Sequence, residues 1–150
     1  MKVFLAGIMQ GSHRRMRLHP QQWRARIREA FARHCPRAEV YCHLEANPDS
    51  VGYELDDIVR TLAEGNRLAA ASDVVVCWLP AASMGTAVEM HEAARAGAAV
   101  VAITPMAANW VVRAYSDCIL PDLAALERFL AEGGLTELVE RKRRDRPGAP

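Results

Sequence analysis

The stretch Asp73-Val74-Val75-Val76-Cys77-Trp78-Leu79 limits what this chain can fold into more than any other. Every residue after its aspartate is apolar, and the valines are β-branched. A strand that alternates apolar and polar residues hides one face. An unbroken apolar run hides both, as in a parallel sheet covered by helices on each side. Weaker runs recur at Lys2-Val3-Phe4-Leu5-Ala6, at Glu39-Val40-Tyr41-Cys42, across residues 99–103 and across residues 118–120. Helical patterns lie between them. Trp23, Ile27, Ala30 and Phe31 repeat at helical spacing until Pro36 stops the run. Leu55, Ile58, Val59, Leu62 and Leu68 predict a longer helix over residues 53–71, with Gly65 as a candidate break. Residues 85–96 predict a third, closed by Gly97, and Leu123, Leu126, Phe129 and Leu130 a fourth, ended by Gly133-Gly134. Leu135, Leu138 and Val139 add one more turn or two. Strands alternating with helices build right-handed βαβ units. The expected fold is therefore a three-layer α/β/α sandwich on a five-stranded, mostly parallel sheet, flavodoxin-like or Rossmann-like.

A chain of 150 residues suits one domain. We expect that domain over residues 1–140, followed by a basic, frayed tail over residues 141–150 that begins Arg141-Lys142-Arg143-Arg144. The formal net charge is +1, which gives no field that would recruit nucleic acid or a membrane. No apolar run approaches the roughly 20 residues of a membrane helix. The N-terminus reads as a buried strand rather than a signal peptide, because the basic segment His13-Arg14-Arg15 follows it in place of a small-residue cleavage site. A cytoplasmic protein is expected. Cys35, Cys42, Cys77 and Cys118 form no C-x-x-C pair. Neither a metal site nor a cofactor is expected.

In open α/β sheets, ligands bind beyond the carboxyl ends of the strands, so three loops are candidates. The first is Gly7-Ile8-Met9-Gln10-Gly11-Ser12. Its glycines permit close backbone approach to a phosphate or sugar, or serve a turn needing positive φ. It is neither G-x-G-x-x-G nor a Walker loop. The second is Pro80-Ala81-Ala82-Ser83-Met84-Gly85-Thr86. Ser83 is a good N-cap, and the free amides of Gly85 and Thr86 in the first helical turn form an anion site. Glu89 falls at the end of that turn or the start of the next. The helix dipole favours its charged form, which suits a nucleophile or electrostatic stabiliser; the plain alternative is a solvated helix glutamate. Glu92 and His91 read as structural or surface residues. The third loop ends in Asn109-Trp110. Asn109 can read a base or sugar, or cap a helix; Trp110 can stack on a base or fill an interface.

Three segments resemble the nucleoside 2-deoxyribosyltransferase family, nearest its 2'-deoxynucleoside 5'-monophosphate N-glycosidase branch. They are Phe4-Leu5-Ala6-Gly7, Ser72-Asp73-Val74-Val75-Val76 and Ser83-Met84-Gly85-Thr86-Ala87-Val88-Glu89. The resemblance covers most of residues 1–130. It implies a glutamate nucleophile, Glu89, that attacks the anomeric carbon of a nucleotide to give a glycosyl-enzyme, as in retaining glycoside hydrolysis. It also implies a phosphate held by Ser83, where the transferase branch commonly has aspartate. The family usually carries an acid about eight positions before the strand aspartate. Here that count lands on Gly65, so Glu64 is the candidate substitute, with Asp56 and Asp57 a turn or two earlier. Residues 12–22, with Arg14, Arg15, Arg17 and His19, look like an insertion that either contacts phosphate or forms a solvated loop. The resemblance further implies a homodimer or higher homo-oligomer in which a neighbouring subunit completes the site, with Asn109, Trp110 or Tyr115 as contributors. The expected partner is a small-molecule nucleotide or nucleoside. The expected function is N-glycosidic cleavage of a nucleoside 5'-monophosphate; the alternatives are deoxyribosyl transfer and non-catalytic nucleotide binding.

Overall fold

The computed structural model describes residues 1–11, 13 and 17–145. Its strands are β1 (Lys2–Gly7), β2 (Glu39–Cys42), β3 (Val74–Trp78), β4 (Ala99–Ile103) and β5 (Cys118–Leu120). Its helices are α1 (Trp23–His34), α2 (His43–Ala46), α3 (Leu55–Ala70), α4 (Met84–Arg95), α5 (Trp110–Tyr115), α6 (Leu123–Ala131) and α7 (Gly134–Arg144). The strands form one sheet in the order β2-β1-β3-β4-β5. Every neighbouring pair is parallel, with Leu5 beside Cys42 on one side and beside Val76 on the other. The α/β sandwich is thus the expected one, and its sheet is parallel throughout rather than mostly so.

The continuous apolar strands are buried on both faces. Val3, Leu5, Val74, Val76 and Val101 point into one layer, where they meet Ile27 and Phe31 of α1, Leu126 of α6 and Leu135 of α7. Phe4, Ala6, Val75, Cys77 and Val100 point the other way, toward Ala69 of α3, Met90 and Ala93 of α4 and Val112 of α5. This is the two-residue period of a strand, with a core on each side. The strand order reverses at β1, so the crevice between the carboxyl ends of β1 and β3 is the topological switch point.

The helices differ from the sequence expectation in three places. Gly65 does not break α3, which runs unbroken from Leu55 to Ala70. One glycine costs a helix roughly 1 kcal/mol relative to alanine, and packing against α4 outweighs it. The segment after Gly133 is a helix of 11 residues rather than a turn or two, and it continues to Arg144 where a frayed tail was expected. Buried Leu135, Leu138 and Val139 anchor it. Lys142 donates to Asp117 at 3.0 Å and Arg143 to Asp73 at 2.7 Å, which holds its last turn. The chain from His43 to Gly52, with α2 and a 3₁₀ turn at Ser50–Gly52, carries no apolar period and was not anticipated as structure. No described helix is long and apolar enough to cross a membrane.

Candidate active site

A cleft of about 350 Å³ lies at the switch point. Its wall comes from four places in the chain: Gly7, Gln10 and Gly11 after β1, His43 and Tyr53 from the segment after β2, Leu62 and Gly65 on α3, and Ser83, Gly85, Thr86 and Glu89 at the start of α4. The volume is in the range of small-molecule sites.

The two glycines of the first loop have separate steric reasons. A Cβ on Gly7 would lie 2.5 Å from the Trp23 ring and 2.9 Å from the Trp78 carbonyl oxygen. The close crossing of β1, β3 and α1 therefore excludes a side chain there. Gly11 has φ of 56°, in the left-handed region, so the alternative of a turn needing positive φ applies at this position. Ile8 is buried beneath the loop, and its amide donates to the Trp78 carbonyl at 3.1 Å. It supports the cleft and does not line it. Ser12, Arg14 and Arg15 lie outside the described residues. Arg17 is exposed, and His19 stacks on His13 with ring centroids 4.4 Å apart.

Ser83 caps α4 as its sequence suggested. Its backbone is extended, and its Oγ accepts from the Thr86 amide at 3.5 Å and from the Thr86 hydroxyl at 3.0 Å. A Cβ on Gly85 would meet nothing within 4 Å, so this first turn stands open. The amide groups of a helix's first turn lack intrahelical partners, and they favour an anion.

Glu89 sits in the second turn of α4, half-buried at the cleft wall. Burial pushes its carboxyl up to about 8, against the opposing pull of the Arg24 cation. The expectation that the helix dipole keeps it charged does not hold here. The dipole fades beyond the first turn, and loss of water outweighs it. The uncharged form of Glu89 is therefore the one favoured at pH 7.

Arg24 is the one buried charge among the described residues. It lies under the cleft, 4.2 Å over the Trp23 ring, and donates to Gln21 Oε1 at 2.8 Å, to Cys42 Sγ at 3.3 Å and to the Leu5 carbonyl at 3.5 Å. Burial lowers its own affinity for a proton. His43, just after β2, is half-buried, and its Nδ1 is sealed from solvent with no hydrogen-bond partner among the described residues. Burial first and Arg24 second lower its proton affinity. A Cβ on Gly65 would lie 3.5 Å from that Nδ1 and 3.7 Å from Glu89 Oε1. The glycine thus leaves a gap flanked by both groups.

The structure brings Gly7, Gly11, Ser83, Gly85, Thr86 and Glu89 together around this cleft. Other candidates are elsewhere. Glu64 is turned to solvent and accepts from Arg67 at 2.6 and 2.8 Å, which holds its carboxyl below the usual range. Asp56 is also exposed, and Asp57 pairs with Arg60. Asn109 caps α5, its Oδ1 accepting from the amides of Val111 at 3.0 Å and Val112 at 3.3 Å. Trp110 is exposed, and Tyr115 meets His91 edge-on at 5.1 Å. The sequence reading missed His43 and Tyr53. The one signal available for His43 was its place just past the carboxyl end of a strand that flanks β1.

No family model matches the sequence, and no curated protein matches it. Solved structures do match the fold. The chain is similar to a 2-deoxyribosyltransferase from Bacillus psychrosaccharolyticus, with a TM-score of 0.64 at 13% identity over 85% of this chain and 90% of that one. A conserved protein from Enterococcus faecalis V583 gives 0.59 at 18% identity, over 88% and 98%. A CMP N-glycosidase of Clostridium botulinum, BcmB, gives 0.52 at 16% identity, over 87% and 97%. At such identities the likeness shows the fold.

Proposed function

We propose that this chain cleaves the N-glycosidic bond of a nucleoside 5'-monophosphate, with Glu89 as nucleophile. The observation that carries the reading is the placement of Glu89 in a cleft at the switch point, on the helix whose open first turn can hold an anion. A carboxylate and an anion site on one helix suit a sugar phosphate, with the phosphate at Ser83, Gly85 and Thr86 and the anomeric carbon one turn along. The structural neighbours that process nucleosides and nucleotides support this substrate class. Ser83, in place of the aspartate usual in transferases, favours hydrolysis over transfer between bases. The partner is a small-molecule nucleotide.

The working unit in this reading is a homodimer. Leu55, Val59 and Leu62 share one face of α3 and are 71%, 59% and 51% exposed; Met84 and Val88 on neighbouring α4 are also exposed. Leu62 and Met84 lie at the cleft as well. A second copy seated on this face would cover the apolar surface and close the cleft together.

The direct test is chromatography of ribo- and deoxyribonucleoside monophosphates after incubation with the wild type and with Glu89→Ala. Free base released by the wild type alone supports the reading. Base exchange without net hydrolysis would make the chain a transferase. Nucleotide binding without base release would make it a binding protein.

A further inference from the structure

The departing base must take up a proton, and the carboxylates proposed from sequence for that task, Glu64, Asp56 and Asp57, do not line the cleft. We infer that His43 is the proton donor to the departing base and then the base that activates water, an inference that rests on the N-glycosidase reading of Glu89.

Three observations converge on His43. It lines the cleft. Its Nδ1 is shut off from solvent and has no hydrogen-bond partner among the described residues, which is rare for a buried nitrogen. That nitrogen and Glu89 Oε1 flank the same gap over Gly65, at 3.5 and 3.7 Å from where a Cβ would be. The gap is about one methyl group wide, and His43 and Glu89 are its two polar walls. Charged and titratable groups reach this point from α4 as Glu89 and from α1 as Arg24, while Tyr53 shares the cleft; Tyr41 of β2 and Cys77 of β3 also interact with Glu89, and α3 lines the cleft only with uncharged residues, Gly65 among them.

The proton count closes. Before substrate binds, the pair holds one proton, chiefly on Glu89, since burial disfavours charge on both groups. When substrate binds, that proton passes to His43 and leaves Glu89 anionic. A Glu89 oxygen then bonds to C1' as the C1'–N bond breaks. The bond's electron pair stays on the base nitrogen, which takes the proton from His43. Neutral His43 next removes a proton from water as the water oxygen bonds to C1' and the ester to Glu89 breaks. The products are free base and sugar phosphate, and the pair again holds one proton.

The consequence is a pH profile that Glu89 alone would not give. A lone nucleophile gains activity as pH rises through about 8. A pair that must hold one proton loses activity above about 8.

The test compares wild type with His43→Asn, and with His43→Gln should the first not fold. One substrate is a nucleoside monophosphate the enzyme cleaves; the other is a sugar phosphate whose leaving group is 4-nitrophenolate, which departs without a proton. In kcat/KM, which reports cleavage of the glycosidic bond and not the later hydrolysis of the glycosyl-enzyme, His43→Asn is expected to slow the natural substrate by about 10²–10⁴-fold, the usual worth of a general acid, and to slow the nitrophenyl substrate by less than about tenfold. It should also abolish the fall in kcat/KM above pH 8. Equal slowing of both substrates, or no slowing of either, overturns the role of His43 and leaves Glu89 untouched. A folded wild type that cleaves neither substrate overturns the glycosidase reading and this inference with it.

Discussion

Gly65 of α3 faces Glu89 of α4 closely enough that a Cβ on the glycine would sit 3.7 Å from a carboxyl oxygen. That is ordinary contact rather than a clash, so nothing in the packing requires a glycine here. Its φ is not positive either. The absent side chain therefore costs helix stability and keeps space open between His43 and Glu89. Gly65→Ala should raise stability by about 0.5–1 kcal/mol in urea unfolding and, by narrowing the cleft, weaken nucleotide binding by roughly an order of magnitude. A variant both more stable and fully active would show that the gap has no part in function.

Glu89 carries a cost that pH can expose. Its folded-state proton affinity is raised from the ordinary 4.5 to about 8, so the native state holds a proton the unfolded chain has released. Stability from this group is complete below pH 4.5 and is lost as pH rises to about 8. Glu89→Gln, which keeps the shape and removes the titration, should match wild type in stability at pH 4. It should exceed wild type by about 2–3 kcal/mol at pH 8, because partial contact with solvent screens some of the cost. Chemical denaturation at four pH values from 4 to 8.5 measures the gap. The same variant should lose nearly all base release, since an amide is no nucleophile.

The parts of this site that were legible in sequence are those where backbone chemistry repeats a rule. Val74, Val75 and Val76 announced a doubly buried strand, and Ser83 followed by Gly85-Thr86 announced a helix cap on the ligand side of the sheet. The state of Glu89 was not legible, because a helix position fixes the dipole but not the water, and here burial decides. Nor was His43. Its place depends on how the segment with α2 and the 3₁₀ turn reaches the cleft, and that segment has no period to read. Glu64 stood beside the expected position by count, yet one residue along a helix turns a side chain by about 100°, which puts it on solvent with Arg67 as partner.

Arg24 sets the field beneath both groups. It lowers the proton affinity of Glu89 and of His43 from its buried place under β1. Arg24→Met keeps much of the apolar stem over Trp23 and removes the charge. Both groups should then titrate higher than in wild type, Glu89 above about 8, as followed by NMR of the carboxyl carbon and imidazole nitrogens. The variant should also unfold more easily, since the Leu5 carbonyl and Gln21 lose a donor. Unmoved titration curves would remove Arg24 from the electrostatics of the cleft.

Leu55, Val59 and Leu62 are spaced four and three residues apart, one face of α3. Burying such a face gains roughly 25 cal/mol for each Å² of apolar surface, whereas a charge at its centre must be stripped of water to enter the same interface. Val59→Glu replaces a side chain that is 59% exposed in the single chain, so the fold itself should tolerate it with a stability change within about 0.5 kcal/mol. If α3 and α4 seat a second copy, this one change should convert a dimer to a monomer in sedimentation equilibrium. Base release should fall in step, because the cleft would lose the cover beside Leu62 and Met84. The opposite result, in which wild type and Val59→Glu sediment alike as monomers with equal activity, would leave the apolar face without a structural partner and make the single chain the working unit.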